Sequence, residues 1–414
     1  GRARGGARAA DGGRAVRIAI ATDFYTPWIG GPATFIENLC AYLAGTSHHV
    51  EVIAPSHTGR PGIERRDGMV VHRLPTVPLP VGHNLRAGIH PGAARAALLA
   101  ARPDVVQLHH PFPICAAVSR AALRARIPVV AINHTIPECS LYGLRGTPVV
   151  YPLGVWTFGR YLVRFLRRAD AIATPTATAA RLLTSMGLAR PIEVISNGVD
   201  TERFRPDADK RAARARLGLP DRPTLLYTGR LDAEKDVPTL IRAAARALLG
   251  RDGVAGLDAQ LVIGGEGTER PRLERLVVEL CLEARTTFLG YLPAADLPLL
   301  YQAADLYCMA SAVELQSIST LEALACGLPV VAADAGALPE LVHHGENGLL
   351  AAQGDVAAFS SAMAAILSQP ERAATMGLLG RARAETHSLG VVAHRHVALL
   401  ERTAKGSAAR AETA

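Results

Sequence analysis

The sequence predicts an α/β protein of two Rossmann-like domains in tandem, facing each other across a cleft. Three observations lead there. From Val16 onward, short apolar runs alternate with helix-period segments: VRIAIATD, FIENLCAYLAG, HVEVIAPS, then DVVQLHH, AAVSRAALRAR and IPVVAINHT. That alternation builds a parallel sheet with helices on both faces. The same grammar restarts near residue 223 with PTLLYTGRL, VPTLIRAAARALL, AQLVIGGEG, ADLYCMAS and LPVVAADAG. Between the two lies a polar stretch, 197–221, which reads as the connection. The boundaries follow: a disordered basic tail at 1–15, a first domain at 16–198, a second at 199–385, a helix at 386–402 returning to the first domain, and a disordered Ala/Arg-rich tail at 403–414.

Composition supports this class and narrows the function. The 414 residues, 49% hydrophobic and 20% charged, can bury two cores of ordinary size. A net charge of +8 admits an anionic partner, but four Arg fall within the first sixteen residues, and most of the other charges read as solvated surface. No nucleic-acid partner is expected. No apolar run reaches the ~18 residues of a membrane span, and the N-terminal stretch lacks the apolar core of a signal peptide, so a cytoplasmic chain is expected. Cys40, Cys115, Cys139, Cys281, Cys308 and Cys326 form no CxxC pair. They read as reduced, buried thiols, and no metal site is expected.

In open parallel sheets ligands bind outside the carboxyl ends of the strands, which gives the residues there the most weight. After the first strand, PWIGGPATFIENL places Gly30 and Gly31 ahead of a helix, suited either to a phosphate or to an ordinary turn. NHTIPE places His134 at another strand end, as a structural histidine or as a group facing a ligand. In the second half, TGRLDAEKDVPTL supplies Arg230 and Lys235, a guanidinium and an ammonium suited to a diphosphate whose charge grows as it departs. IGGEGTERPRL carries Gly264, Gly265 and Gly267 between strand and helix, near a nucleoside or in a plain βα turn. Gly290 and Tyr291 end the next strand. Last comes ELQSISTLEALACG, with Glu314 in a loop and Glu322 near the first turns of a helix. Ser317, Ser319 or Thr320 can cap that helix, and Gly327 stops it. Two carboxylates there suit diols; helix-dipole stabilisation explains one acid but not both.

Taken in order, GGP, NHT, NGVD, GRLDAEK, GGEGTERPRL, FLGYLP and E-x7-E followed by EALACGLPVVAADAGALPELVHHGENGLL resemble the retaining nucleotide-sugar glycosyltransferases of family 4, over about residues 16–400. The resemblance implies the GT-B fold, with an acceptor domain first and a donor domain second. It implies that Arg230 and Lys235 hold the donor diphosphate, that Glu314 contacts the donor sugar and Glu322 the ribose diol, that Gly30 and Gly31 meet the donor phosphate, and that His134 lines the sugar site. Arg230, Lys235, Glu314 and His134 form the catalytic set; Gly265, Gly290, Tyr291, Gln316, Ser317 and Ile318 complete the donor-binding set. Two departures stand out: Leu315-Gln316-Ser317-Ile318 replaces the x-F-G-[LIV] many members carry after the first Glu, and Pro32 follows the two glycines and brings no N–H.

The reaction implied is hexosyl transfer from a UDP- or GDP-linked sugar to a hydroxyl, with retention and without a required metal or other cofactor. Asp207-Ala-Asp209 matches a D-x-D metal motif only superficially and reads as a solvated turn. In YPLGVWTFGRYLVRFLRRAD, 151–170, four Arg share a helix with Trp156, Phe158 and Tyr161, either as a core helix with a basic edge or as a helix lying on an anionic membrane through 151–168. With HHPF and NHT-x-PE, this stretch resembles enzymes that glycosylate diacylglycerol or phosphatidylinositol. A membrane lipid acceptor at the inner face of the membrane is therefore the first choice, and a soluble natural product or small polyol the second. A sugar-nucleotide epimerase on the same fold and a non-catalytic sugar-binding protein are the readings of other classes.

Overall fold

The computed structural model describes residues 15–28, 31–66, 68–79, 86–207, 209–250 and 256–412. It divides into two compact units: 1–135, 156–196 and 389–414 form the first, 136–155 and 197–388 the second. The first is built on an eight-stranded sheet, from β1 (Arg17–Ala21), β2 (His49–Pro55), β3 (Gly62–Arg66) and β4 (Met69–Leu74) to β7 (Val105–Leu108), β8 (Val129–Ile132), β9 (Ala171–Thr174) and β10 (Glu193–Val194), in the order β10-β9-β8-β7-β1-β2-β4-β3. Only β3 runs antiparallel to its neighbour. A small hairpin pairs β5 (Thr76–Pro78) with β6 (Arg86–Gly88). The second unit holds six parallel strands, β11 (Thr224–Thr228), β12 (Gln260–Gly264), β13 (Thr286–Gly290), β14 (Leu306–Met309), β15 (Val330–Ala333) and β16 (Gly348–Ala351), in the order β13-β12-β11-β14-β15-β16.

The α/β class with parallel sheets in two domains is thus the class the sequence predicts. The strands explain why it was readable: β7, β8, β11, β12, β14 and β15 are buried at every position, as strands covered by helices on both faces must be. Each sheet also reverses its strand order at one place, between β1 and β7 in the first and between β11 and β14 in the second. Loops leaving the carboxyl ends of those two strands diverge there and leave a crevice.

The structure departs from the sequence reading in four respects. The last helix, Leu389–Glu412, continues through most of 403–414, where a disordered tail is expected. Ala, Lys, Arg and Glu are good helix formers, and a single Gly406 does not end a helix already nucleated. The tail at 1–15 lies, except for residue 15, outside the described residues. The first domain is also not continuous over 16–198. Pro137 opens a short helix, Pro137–Ser140, and the turn Tyr142–Leu144 packs on Ala233–Lys235, which draws 136–155 into the second unit. Within the polar stretch, Asp209 caps the helix Lys210–Arg216, and Lys210 and Arg214 of that helix pair with Asp305 ahead of β14. Finally, Cys281 is exposed, in a turn at φ 58°, and Cys139 is half-buried; the other four thiols are buried and all six are free.

Candidate functional site

In the second unit the predicted residues converge on the crevice between β11 and β14. Gly229 leaves β11 at φ 150° and leads into the loop carrying Arg230 and Lys235. Gly265, at φ 130°, follows β12, and a Cβ there would run into the Gly229 carbonyl oxygen. Its N–H bonds the Gly290 carbonyl at 2.7 Å, and Leu231 N–H bonds the Glu266 carbonyl at 2.9 Å. Three loops interlock on glycines: spacing excludes a side chain at Gly265, and positive φ favours glycine at Gly229 and Gly290. Tyr291, beside Gly290, is exposed.

Lys235 Nζ lies 2.6 Å from Glu314 Oε1, and both side chains are largely buried. Burial alone would lower the lysine pKa, but the Glu314 carboxylate outweighs it and holds the ammonium above its usual range. The loop from β14 is pinned by Ala312 N–H and the Ser311 hydroxyl, both bonded to the Glu234 carbonyl, and by Ala337 N–H on the Glu314 carbonyl at 3.0 Å. Arg230 is not a free cation. Its exposed guanidinium pairs with Asp232 and Glu234, acids the sequence reading passed over. The buried Gln316 side chain accepts from Asn197 N–H at 2.7 Å. Ser317 is the cap of the helix Ile318–Ala325, its hydroxyl accepting from Thr320 N–H. The N–H groups of Ile318 and Ser319, in the first turn, have no partner among the described residues. One turn on, Glu322 Oε2 accepts from Tyr301 OH at 2.7 Å, and that hydroxyl also meets Thr228 Oγ1 at 2.7 Å. Burial raises the Glu322 carboxyl to about 7 against the pull of the Tyr301 bond. Tyr301 could not be found from sequence, because it sits in a helix with no motif of its own.

The first unit gathers uncharged groups. Gly30 lies outside the described residues; Gly31 opens the helix Gly31–Ala44. Phe35 of that helix lies 5.2 Å from the His134 ring and 5.1 Å from His396. His134 Nε2 is 3.1 Å from His109 Nδ1, and the two rings stack at 5.3 Å. Burial lowers His134 to about 4, and His109 and His110 well below the usual value, so the cluster is neutral near pH 7. Asp23, which follows β1, accepts Ile114 N–H at 2.8 Å and Cys115 N–H at 3.2 Å, capping the helix Pro113–Arg124; burial raises its pKa to about 6. Among the described residues, no group of three or more His, Cys, Asp and Glu side chains is placed to hold a metal ion.

Two families match the chain in succession: the one described as Glycosyltransferase Family 4 over residues 29–203, and the one described as Glycosyl transferases group 1 over 209–383. A GDP-mannose-dependent alpha-mannosyltransferase of Mycobacterium tuberculosis is 30% identical over 374 residues, 88% of this chain and 93% of that protein. A GDP-mannose-dependent alpha-(1-6)-phosphatidylinositol monomannoside mannosyltransferase of Mycolicibacterium smegmatis is 37% identical over 212 residues, 49% of this chain and 54% of that one. The matched stretch spans about half the length of the first curated relatives it matches. Among solved structures, a sucrose-phosphate synthase from Thermosynechococcus elongatus superposes with a TM-score of 0.77 at 23% identity, over 93% of this chain and 98% of that one.

Two outcomes follow. His134 and His396, held to about 4 and about 3, bind protons more weakly in the fold than in the unfolded chain, where imidazole titrates near ~6.5. The stability they contribute is complete above about pH 6.5 and is lost as pH falls toward the folded values, at up to ~1.4 kcal/mol per pH unit for each. Asp23 and Glu322, raised in the fold, act in the opposite direction. The unfolding midpoint in urea should therefore fall less steeply between pH 6.5 and 4.5 in His396→Gln than in the parent chain; equal slopes would remove the cluster from the account. Separately, Tyr301→Phe deletes a bond that lowers the Glu322 pKa, so carboxyl NMR should place that group above its value of about 7.

Proposed function

The chain belongs to the family 4 glycosyltransferases, with the GT-B fold, and from that premise we propose that it transfers a hexosyl group, with retention, from a UDP- or GDP-linked sugar to a lipid hydroxyl. The observation that carries the donor half of this reading is the Lys235–Glu314 pair at the β11/β14 crevice. A permanently charged ammonium there can meet the diphosphate. Arg230 reinforces it from the rim, and the Ile318 and Ser319 N–H groups offer donors to phosphate oxygens. Glu314 takes a sugar hydroxyl. Glu322, steadied by Tyr301, takes the ribose hydroxyls, whose donated bonds favour its charged form. His134, neutral, has one N–H and one lone pair and is assigned to the sugar.

In the reacting complex the bond from the anomeric carbon to the diphosphate breaks as the bond to the acceptor oxygen forms on the same face. The acceptor's proton passes to the departing phosphate oxygen. Lys235, Arg230 and the helix N–H groups balance the growing charge, so the scheme requires no divalent metal.

The lipid acceptor is supported by the helix Val150–Leu166 and the residue before it. Val149, Val150, Leu153 and Trp156 are exposed, between 56% and 70%, and Arg160, Arg164 and Arg167 follow, all exposed. Arg160 lies over the Trp156 ring. Apolar groups beside cations suit the interface of an anionic bilayer. No helix among the described residues is long and apolar enough to cross a membrane, and contact by this face would be peripheral, at the inner leaflet.

Lys235→Ala and Glu322→Ala should each lower transfer by about 10²–10³-fold, with circular dichroism unchanged. Full activity in either would refute the donor assignment. Incubated alone, the sugar nucleotide should show no epimer by NMR; its appearance would select the epimerase. Reversal of Arg160, Arg164 and Arg167 to Glu should abolish co-sedimentation with phosphatidylglycerol vesicles, while retained binding would exclude this helix as the contact.

A further inference from the structure

The first unit contains an open cavity of about 340 Å³ that none of the predicted catalytic or donor-binding residues lines. Its floor is apolar and buried: Leu74, Ala94, Ile114, Ala116 and Ala117. Gly88 of β6 closes one wall, where a Cβ would run into Ile114. Ile89, His90, Pro91, Arg120 and Tyr161, all exposed, rim the mouth. Interiors are close-packed, so a void of this size in an apolar wall leaves surface that gains about 25 cal/mol per Å² when covered. The volume is at the low end of the ~300–1,000 Å³ of small-molecule sites, room for one chain rather than two. The polar chemistry is equally restricted. Tyr161 OH already donates to the Pro111 carbonyl at 2.6 Å, whereas the Arg120 guanidinium makes no hydrogen bond or ion pair with another described residue. Phe112, another lining residue, stacks on His110 at 6.2 Å, and His110 lies 5.7 Å from His134. The cavity therefore shares a wall with the histidine cluster.

We propose that this cavity seats one linear apolar chain of the acceptor, with Arg120 holding the phosphate of the same molecule at the mouth. This rests on the lipid-directed reading above and narrows it, from a lipid met only at the bilayer surface to one whose chain enters the protein.

The test uses the full chain without nucleotide sugar and a 1-oleoyl lysophosphatidic acid bearing a diazirine in its acyl chain. Cross-linking followed by peptide mapping should place the label in 86–98 and 111–120. Unlabelled 1-oleoyl lysophosphatidic acid should compete, and glycerol 3-phosphate should not. Ala117→Trp, which fills the floor, should remove the label; Arg120→Gln, at an exposed position that does not endanger folding, should weaken binding about tenfold. Label confined to Leu153 and Trp156, label unchanged in both variants, or equal competition by glycerol 3-phosphate would overturn the proposal. With nucleotide sugar then added, binding in the cavity without transfer to any lipid would leave it standing and sink the lipid-acceptor reading instead. Transfer to a lipid with the cavity unlabelled would do the reverse.

Discussion

The ion pair between Lys235 and Glu314 is the constraint on which the loops of the second unit converge. Taking two charges out of water costs several kcal/mol per ion, and only close, supported geometry offsets it. The support is visible on both sides. The β11 and β14 loops are tied together through the Glu234 carbonyl, and the loop after β15 closes on Glu314 through Ala337 N–H. Gly336, at φ 56°, permits that approach; a Cβ would sit 2.9 Å from the Glu314 backbone. A pair so held keeps its ammonium charged and its carboxylate aimed.

The two units treat charge by opposite means. The second concentrates formal charge and then balances it locally, Arg230 against Asp232 and Glu234, Lys235 against Glu314. The first removes charge, packing three neutral imidazoles around Phe35 and a fourth, His110, against His134. Neutral donors and acceptors suit sugar hydroxyls, and anions call for the other kind of surface.

The fold was legible because parallel strands covered on both faces must be written as continuous apolar runs, and the second-unit motifs were legible because their residues lie together in sequence. What escaped was assembled from distance. Tyr301 reaches Glu322 from 21 residues away, His396 joins Phe35 from the last helix, and Asp23 caps a helix that begins ninety residues later. Spacing records neighbours along the chain and carries no trace of such meetings. The path of 136–155 escaped for the same reason: the contact of Tyr142–Leu144 with Ala233–Lys235 is not written in either stretch.

Gln316 shows what this means for exchanging parts between relatives. At the position where many of them carry another side chain, this chain uses an amide oxygen to satisfy the buried N–H of Asn197, 119 residues earlier. A loop transplanted here from a relative with phenylalanine at that place would bring no acceptor and would strand that N–H. The four residues after Glu314 are therefore not a portable cassette. They are one half of a lock whose other half lies in the strand-to-strand connection, and a graft that respects the chemistry has to carry both.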